Sequence, residues 1–554
     1  MSSEQPLSPY RVLEIASGAG AFCGRVLADL GADVVKLEPP SGDPMRRQPP
    51  LAGDTGIAFL WYNANKRGLT LDLDDPACQE RVAGALADFD ILIDGNPPGW
   101  LATRGLGPAD LRGRHPHLIV TSVTHFGQDG PYRDWHGSSL VDFAIAGSLL
   151  RCGVPEAPPC APPYELSYAI TGITAASATL LALFERGRSG DGDWIDCSVV
   201  EAVQAQGDWS VPNYGASGAT QKRAGAGPLF RLYRAADGWV RVINLSPKQW
   251  RSFRAWLGDP PEVAGPEWEN PLYRGANQSI LDEICNRKFA GRTKADLFFD
   301  GQRAGVGIVP IYDPAEVMAD AHFRERGTFV PFATPAGEAR APGAFVRMAD
   351  HPPGSPRPAP SPGADESVLA GPRAAAGGQG GDGRLPLAGL RVIEVGSGAV
   401  APEITRILGE FGADVIKLES MMQVDFMRLM GQPGSVEASP GYASSNRSKR
   451  SLALNLKHPE ANRLAQALAD KADVIVENNT AGVMSRLGLD YPTLAARNPR
   501  LIYLSSQAFG ATGPASSFGG FGPTNQAISA TTYLWNHPDC DEPQGTQVIH
   551  PDHL

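Results

Sequence analysis

The last residues of the chain read QGTQVIHPDHL, and there Asp552 stands between His550 and His553. A carboxylate in such a turn has two chemistries open to it. It can attack an activated acyl carbon as a nucleophile, or it can ligate a metal together with His537, Asp539, Cys540, His550 and His553. No zinc-type spacing joins those six residues, so the sequence predicts no metal site. Taken alone, an aspartate at this place reads as a solvated tail.

A second constellation lies near the start. A β-type run, RVLEI, leads into Gly18, Gly20 and Gly24, then a helix, a second strand and Glu38. A dinucleotide site would use such glycines to admit a pyrophosphate and the acid to hold a ribose hydroxyl. The spacing here is G-x-G-x-x-x-G rather than G-x-G-x-x-G, and where the pattern returns it offers only GSGAVAPE. NAD binding is therefore not expected.

The elements that position both constellations repeat. RVLEIASGAGAFCGRVLADLGADVVKLE (Arg11 to Glu38) returns with one inserted residue as RVIEVGSGAVAPEITRILGEFGADVIKLE (Arg391 to Glu419). NANKRGLTLDL then matches NRSKRSLALNL, DFDILIDGNPPGW matches KADVIVENNTAGV, and PHLIVTSVTHFGQDGP matches PRLIYLSSQAFGATGP. Arg391 follows Arg11 by 380 residues, far beyond a solenoid period, so whole domains are duplicated. Within a copy, buried strand candidates alternate with helical patterns. The expected fold class is α/β: two tandem copies of a doubly wound parallel-sheet large domain, the first with an additional small α+β domain. The expected boundaries are 1–224 for the first large domain, 225–328 for the small domain, 329–350 for a return segment, 351–386 for a linker and 387–554 for the second large domain. The linker is expected from its Pro, Gly and Ala content, which buries little apolar surface.

Composition limits the rest. A chain of 554 residues with 42% apolar and 20% charged residues has material for several cores. The N-terminus has neither a basic region nor an apolar core, and no uninterrupted apolar run reaches membrane-spanning length, so a cytoplasmic protein without a membrane partner is expected. A net charge of −11 disfavours nucleic acid as a partner. Seven scattered cysteines without a C-x-x-C pair argue against a disulfide framework.

LRVIEVGSGAVAPEITRILGEFGADVIKLE, NRSKRSLALNL, ADVIVENNTAGVMSRLGLDY and NPRLIYLSSQAFGATGP resemble the large-lobe signature of class III CoA-transferases, the formyl-CoA and carnitine type. The resemblance runs through nearly all of the first copy and all of the second. It implies an enzyme that moves CoA from an acyl-CoA donor to a small carboxylic acid, with CoA thioesters as substrates and no tightly bound cofactor. It also implies interlocked lobes, supplied here as a pseudo-dimer within one chain or as a homodimer.

In that family the nucleophile is an aspartate opening D-x-x-x-G ahead of a long helix. The first copy has SYAITG, with Tyr168 at that position, four before Gly172, and is expected to be inactive. A phenol is neutral at pH 7, and its ester conserves less of the thioester's reactivity than an anhydride does. Glu165 is offset by three residues and is expected to be structural. The second copy reaches the position at HPDHL, where Asp552 fits the nucleophile; by the length of the first copy, about 180 further residues would complete a second one. The resemblance further implies CoA contacts from Lys449, Asn478 and Arg486, and from Gly398 and Ala399 on the loop after the first strand. The first copy keeps Lys66 but has Gly95 and Thr103 for the other two, and Ser420 and Pro39 stand where the family often has a basic residue. Two alternatives follow from the same residues: an acyl-CoA racemase of related fold, whose G-H-D histidine is missing because His136 lies two positions out of register, and a non-catalytic CoA-binding or scaffold subunit.

Overall fold

The computed structural model describes residues 5–207, 209–223, 230–343, 346–349, 351, 356–365, 369, 384–422, 424–430, 438–546 and 552–553. His550 and most of the 351–386 stretch lie outside the described residues. The chain divides into two compact units: residues 1–147, 164–205 and 327–386 form the first, and residues 148–163, 206–326 and 387–554 the second.

The first unit is built on a six-stranded sheet. Its strands are β1 (Arg11–Ile15), β2 (Asp33–Glu38), β3 (Arg67–Thr70), β4 (Ile91–Asp94), β5 (Ile119–Thr124) and β6 (Trp194–Ser198), in the order β3-β2-β1-β4-β5-β6. Every pairing is parallel. Buried β-branched and leucine-rich runs make such strands, because helices cover both faces of a parallel sheet. Helix α1 (Gly18–Asp29) follows β1, and the long helix α2 (Leu166–Ser189) packs against it. Small residues allow that approach: a Cβ on Gly172 would come within 2.7 Å of Phe22. Helix α2 is also the one described helix long and apolar enough to cross a membrane. Its buried face, Ile170, Ala175, Ala176 and Leu183, is part of this unit's core.

Residues expected to form a free linker are partly docked on this unit. Gly68 N–H donates to Asp365 Oδ2 at 3.0 Å, Asp365 N–H returns a bond to Gly68 O at 2.8 Å, and Arg46 reaches Pro360 O at 2.8 Å. These bonds cover the open edge of β3, and sheets tend to protect such an edge.

The second unit carries a five-stranded parallel sheet: β10 (Arg391–Val395), β11 (Asp414–Glu419), β12 (Arg450–Ala453), β13 (Val474–Glu477) and β14 (Ile502–Ser505), in the order β12-β11-β10-β13-β14. The register repeats that of the first sheet: Arg391 lies opposite Asp414 as Arg11 lies opposite Asp33. The unit also holds an antiparallel sheet of β7 (Leu232–Ala235), β8 (Gly238–Ile243) and β9 (Gly307–Pro310). That smaller sheet and its helices dock on the second large lobe. Leu232, Phe298, Val309 and Ile311 share one apolar cluster with Phe509, Phe518 and Ile528. Around that cluster, Tyr312 N–H donates to Ala527 O at 3.0 Å and the His322 ring bridges Phe509 O and Ala515 N.

Candidate active site

After β10 the chain turns through Gly396, Ser397 and Gly398 into helix α5 (Val400–Glu410). Gly398 adopts φ +78°, and a Cβ there would meet the Phe426 ring at 2.7 Å, so only glycine fits. Its N–H donates to Asp425 Oδ1 at 3.0 Å. Asn478, directly after β13, grips the same loop from the other side: its amide donates to Ser397 O at 2.8 Å, and its Oδ1 accepts from Ser397 N at 3.1 Å. Ala399 is the buried residue just before α5. Gly398, Ala399 and Asn478 are thus brought together at the carboxyl ends of parallel strands, where doubly wound sheets place their ligands.

Lys449 precedes β12 with its side chain turned into the lobe. Its ammonium donates to Glu394 Oε2 at 2.8 Å, Pro402 O at 2.7 Å and Asn446 Oδ1 at 3.1 Å, and the side chain is 2% exposed. All three of its protons are satisfied inside the lobe. Burial pushes its pKa down to about 8 against the pull of Glu394. Glu394 is shared with Lys417, 2.6 Å away, and accepts a bond from Thr405 at 2.7 Å. Burial opposes its ionisation, yet Lys417 and Lys449 together hold its carboxyl below the ordinary range. Lys417 in turn reaches Asp425 at 3.2 Å. The ion cluster is therefore the underside of the Gly398 loop, and Lys449 is part of that support. The first copy builds the same cluster from Glu14, Lys36, Lys66 and Asp43.

Arg486 ends the short helix α7 (Val483–Arg486), a few residues beyond Asn478. It is exposed, and no ion pair engages it among the described residues.

Asp552 is half-buried, in a turn with His553. The His553 ring is buried against Trp209, with centroids 4.8 Å apart, and its Nδ1 lies 3.8 Å from Glu403 Oε1 on α5. The turn is thereby set beside the helix that the Gly398 loop begins. In the first unit the ring of Tyr168 lies 3.1 Å from where a Cβ on Gly18 would stand. Burial and the nearby Glu165 and Asp142 raise the phenol's pKa, so it stays neutral. Glu165 is held by Gln48 at 3.1 Å. Among the described residues no cluster suits a metal ion; His550 lies outside them.

Sequence reasoning missed Asp425, Glu403, Ser445 and Trp209. Asp425 had a legible signal, since D-x-M-R recurs at Asp43 to Arg46 and Asp425 to Arg428. In both copies the aspartate caps the loop's support, and the arginine pairs with the glutamate that ends the second strand, Arg46 with Glu38 and Arg428 with Glu419. The other three come from distant segments, and no local pattern announces them.

The chain belongs to CoA-transferase family III, whose model matches residues 7–366 and again residues 387–554. It is an enzyme of the CoA-transferase class in two tandem copies. The probable CoA-transferase Rv1866 of Mycobacterium tuberculosis is 33% identical over a 558-residue alignment that covers 98% of this chain and 69% of that protein. The succinyl-CoA–D-citramalate CoA-transferase of Chloroflexus aurantiacus is 32% identical across 60% of this chain and 85% of its own length. A crystal structure of a CAIB/BAIF family protein from Brucella suis matches with a TM-score of 0.59 and 27% identity, covering 66% of this chain and 98% of that one.

Proposed function

We propose that the chain transfers CoA from an acyl-CoA donor to a carboxylic acid through covalent intermediates on Asp552. In this reading the Asp552 carboxylate attacks the thioester carbonyl, the C–S bond breaks, and the CoA thiolate leaves a mixed anhydride behind. The thiolate then attacks the Asp552 carbonyl carbon and expels the donor acid, which gives an aspartyl-CoA thioester. An acceptor carboxylate runs the sequence backwards, regenerating the aspartate, so no proton need be gained or lost. The observation that carries the reading is the Asp552 turn, set beside α5 by the His553–Glu403 pair at 3.8 Å.

Gly398 and Ala399, on the loop that Asn478 grips, form the surface against which the pantetheine end of CoA would lie, and Arg486 is the residue available to its phosphates. The first copy serves as a scaffold in this reading, because Tyr168, Gly95 and Thr103 replace the nucleophile and two CoA contacts. Relatives named for succinyl-CoA make a dicarboxylic acyl-CoA a reasonable first donor to test. The test is exchange of isotopically labelled succinate into succinyl-CoA, which needs a single acid. D552A should lose exchange by at least about a thousandfold. Exchange retained within about tenfold of the wild-type rate in D552A would remove the nucleophile assignment.

A further inference from the structure

The turn bearing Asp552 is held by a closed circuit of side chains for which the transfer chemistry has no direct use. Trp209 precedes helix α3 (Ser210–Ser217) in a left-handed conformation, φ +56°, that non-glycine residues adopt only when their surroundings hold them there. Its indole N–H donates to Ser445 Oγ at 2.8 Å, and the Ser445 hydroxyl donates to Glu403 Oε1. The same oxygen lies 3.8 Å from His553 Nδ1, and the His553 ring packs edge-on against Trp209 at 72°, which closes the circuit. Arg406 Nε donates to the other oxygen of Glu403 at 2.7 Å. Gly441 leaves the space this needs: a Cβ there would stand 3.4 Å from the Trp209 ring and 2.7 Å from Met427. The imidazole is 4% exposed and the carboxylate 10%.

The duplication supplies an internal control. In register, Glu403 corresponds to Phe22 and Ser445 to Tyr62. Phe22 and Tyr62 meet as an aromatic pair with centroids 4.9 Å apart. The copy with tyrosine at the nucleophile position fills this place with rings, and the copy with aspartate fills it with an ionised, hydrogen-bonded relay. A buried carboxylate costs more to maintain than an aromatic contact, so its presence in one copy alone calls for a role tied to what that copy alone carries.

We infer that Glu403 is a positioning residue for Asp552, acting through His553 and supported by Ser445 and Trp209; the inference rests on the reading of Asp552 as nucleophile. His553 shares a peptide unit with Asp552, so a ring held between the Glu403 carboxylate at 3.8 Å and an edge-on contact with the Trp209 indole limits the rotation of the turn. Misplacement of a reacting carboxylate by about 1 Å costs about a hundredfold in rate.

Two variants and two readouts test it. In succinate exchange, E403Q should lower kcat by about 10- to 100-fold and leave KM for succinyl-CoA within about twofold, with E403D partly restoring kcat. Deuterium exchange of the 541–554 peptide should rise about tenfold in E403Q, and to a smaller extent in W209F, which keeps a ring and removes the donor. Unchanged peptide exchange in both variants overturns the positioning role whatever D552A does. Faster peptide exchange in E403Q together with full transfer by D552A overturns the nucleophile reading and, with it, the catalytic part of this inference.

Discussion

Replacing Lys449 with methionine separates two roles that the family resemblance and the geometry assign differently. A phosphate contact, once removed, weakens CoA binding and leaves the fold alone. The geometry gives the opposite expectation. The Lys449 ammonium holds Glu394 at 2.8 Å and satisfies Pro402 O and Asn446 Oδ1. Before substitution the cluster has two carboxylates, Glu394 and Asp425, balanced by two ammonium groups, Lys417 and Lys449. In K449M one buried negative charge is left without a counterion. Breaking a buried pair in this way costs about 3–5 kcal/mol, and the loss of the bond to Asn446 Oδ1 adds to it. Urea unfolding followed by far-UV circular dichroism should show the transition of the second unit at clearly lower denaturant with an unchanged slope. CoA affinity, measured by calorimetry where the variant is still folded, should fall by less than about threefold. Unfolding that matches the wild type together with a tenfold or greater loss of CoA affinity would refute the structural assignment of Lys449.

Arg486 should behave in the contrary way. Because it is exposed and outside any ion pair among the described residues, R486A should leave unfolding unchanged and weaken CoA binding by about 5- to 20-fold, with the difference shrinking as salt rises. A third expectation concerns pH. Burial raises the Asp94 pKa to about 6 against the hydrogen bonds from Asn96. The folded state therefore holds this proton more tightly than the unfolded chain, and the associated stability is complete below about pH 4 and lost as pH rises through about 6. In D94N that component of the stability–pH curve between pH 4 and 6 should vanish, which chemical unfolding at several pH values would detect as a flatter profile.

The α/β class, the duplication and the family signature are written locally, in strand runs, helical spacing and repeated motifs, and each of these depends on neighbours a few residues apart. The Gly398 loop was legible for the same reason, since glycine beside a strand end marks a backbone that must turn sharply. The sequence identified Lys449 as basic and well placed in the motif, but charge alone does not say whether an ammonium faces solvent or a carboxylate. Only the packing of β10, β11 and the 446–449 turn put Glu394 within 2.8 Å of it. The tail offers an aspartate in a turn, yet what holds that turn, Glu403, Ser445 and Trp209, comes from segments more than one hundred residues away in chain order. Likewise the Pro-rich stretch lacks the apolar content to fold alone, and it is the unpaired edge of β3 that gives part of it a place. The sequence by itself determined which elements form and which chemistry is on offer, because those follow from side-chain type and period. The tertiary structure decided which charged groups are buried in pairs and which remain free for a ligand, because burial and distance are properties of the packed chain.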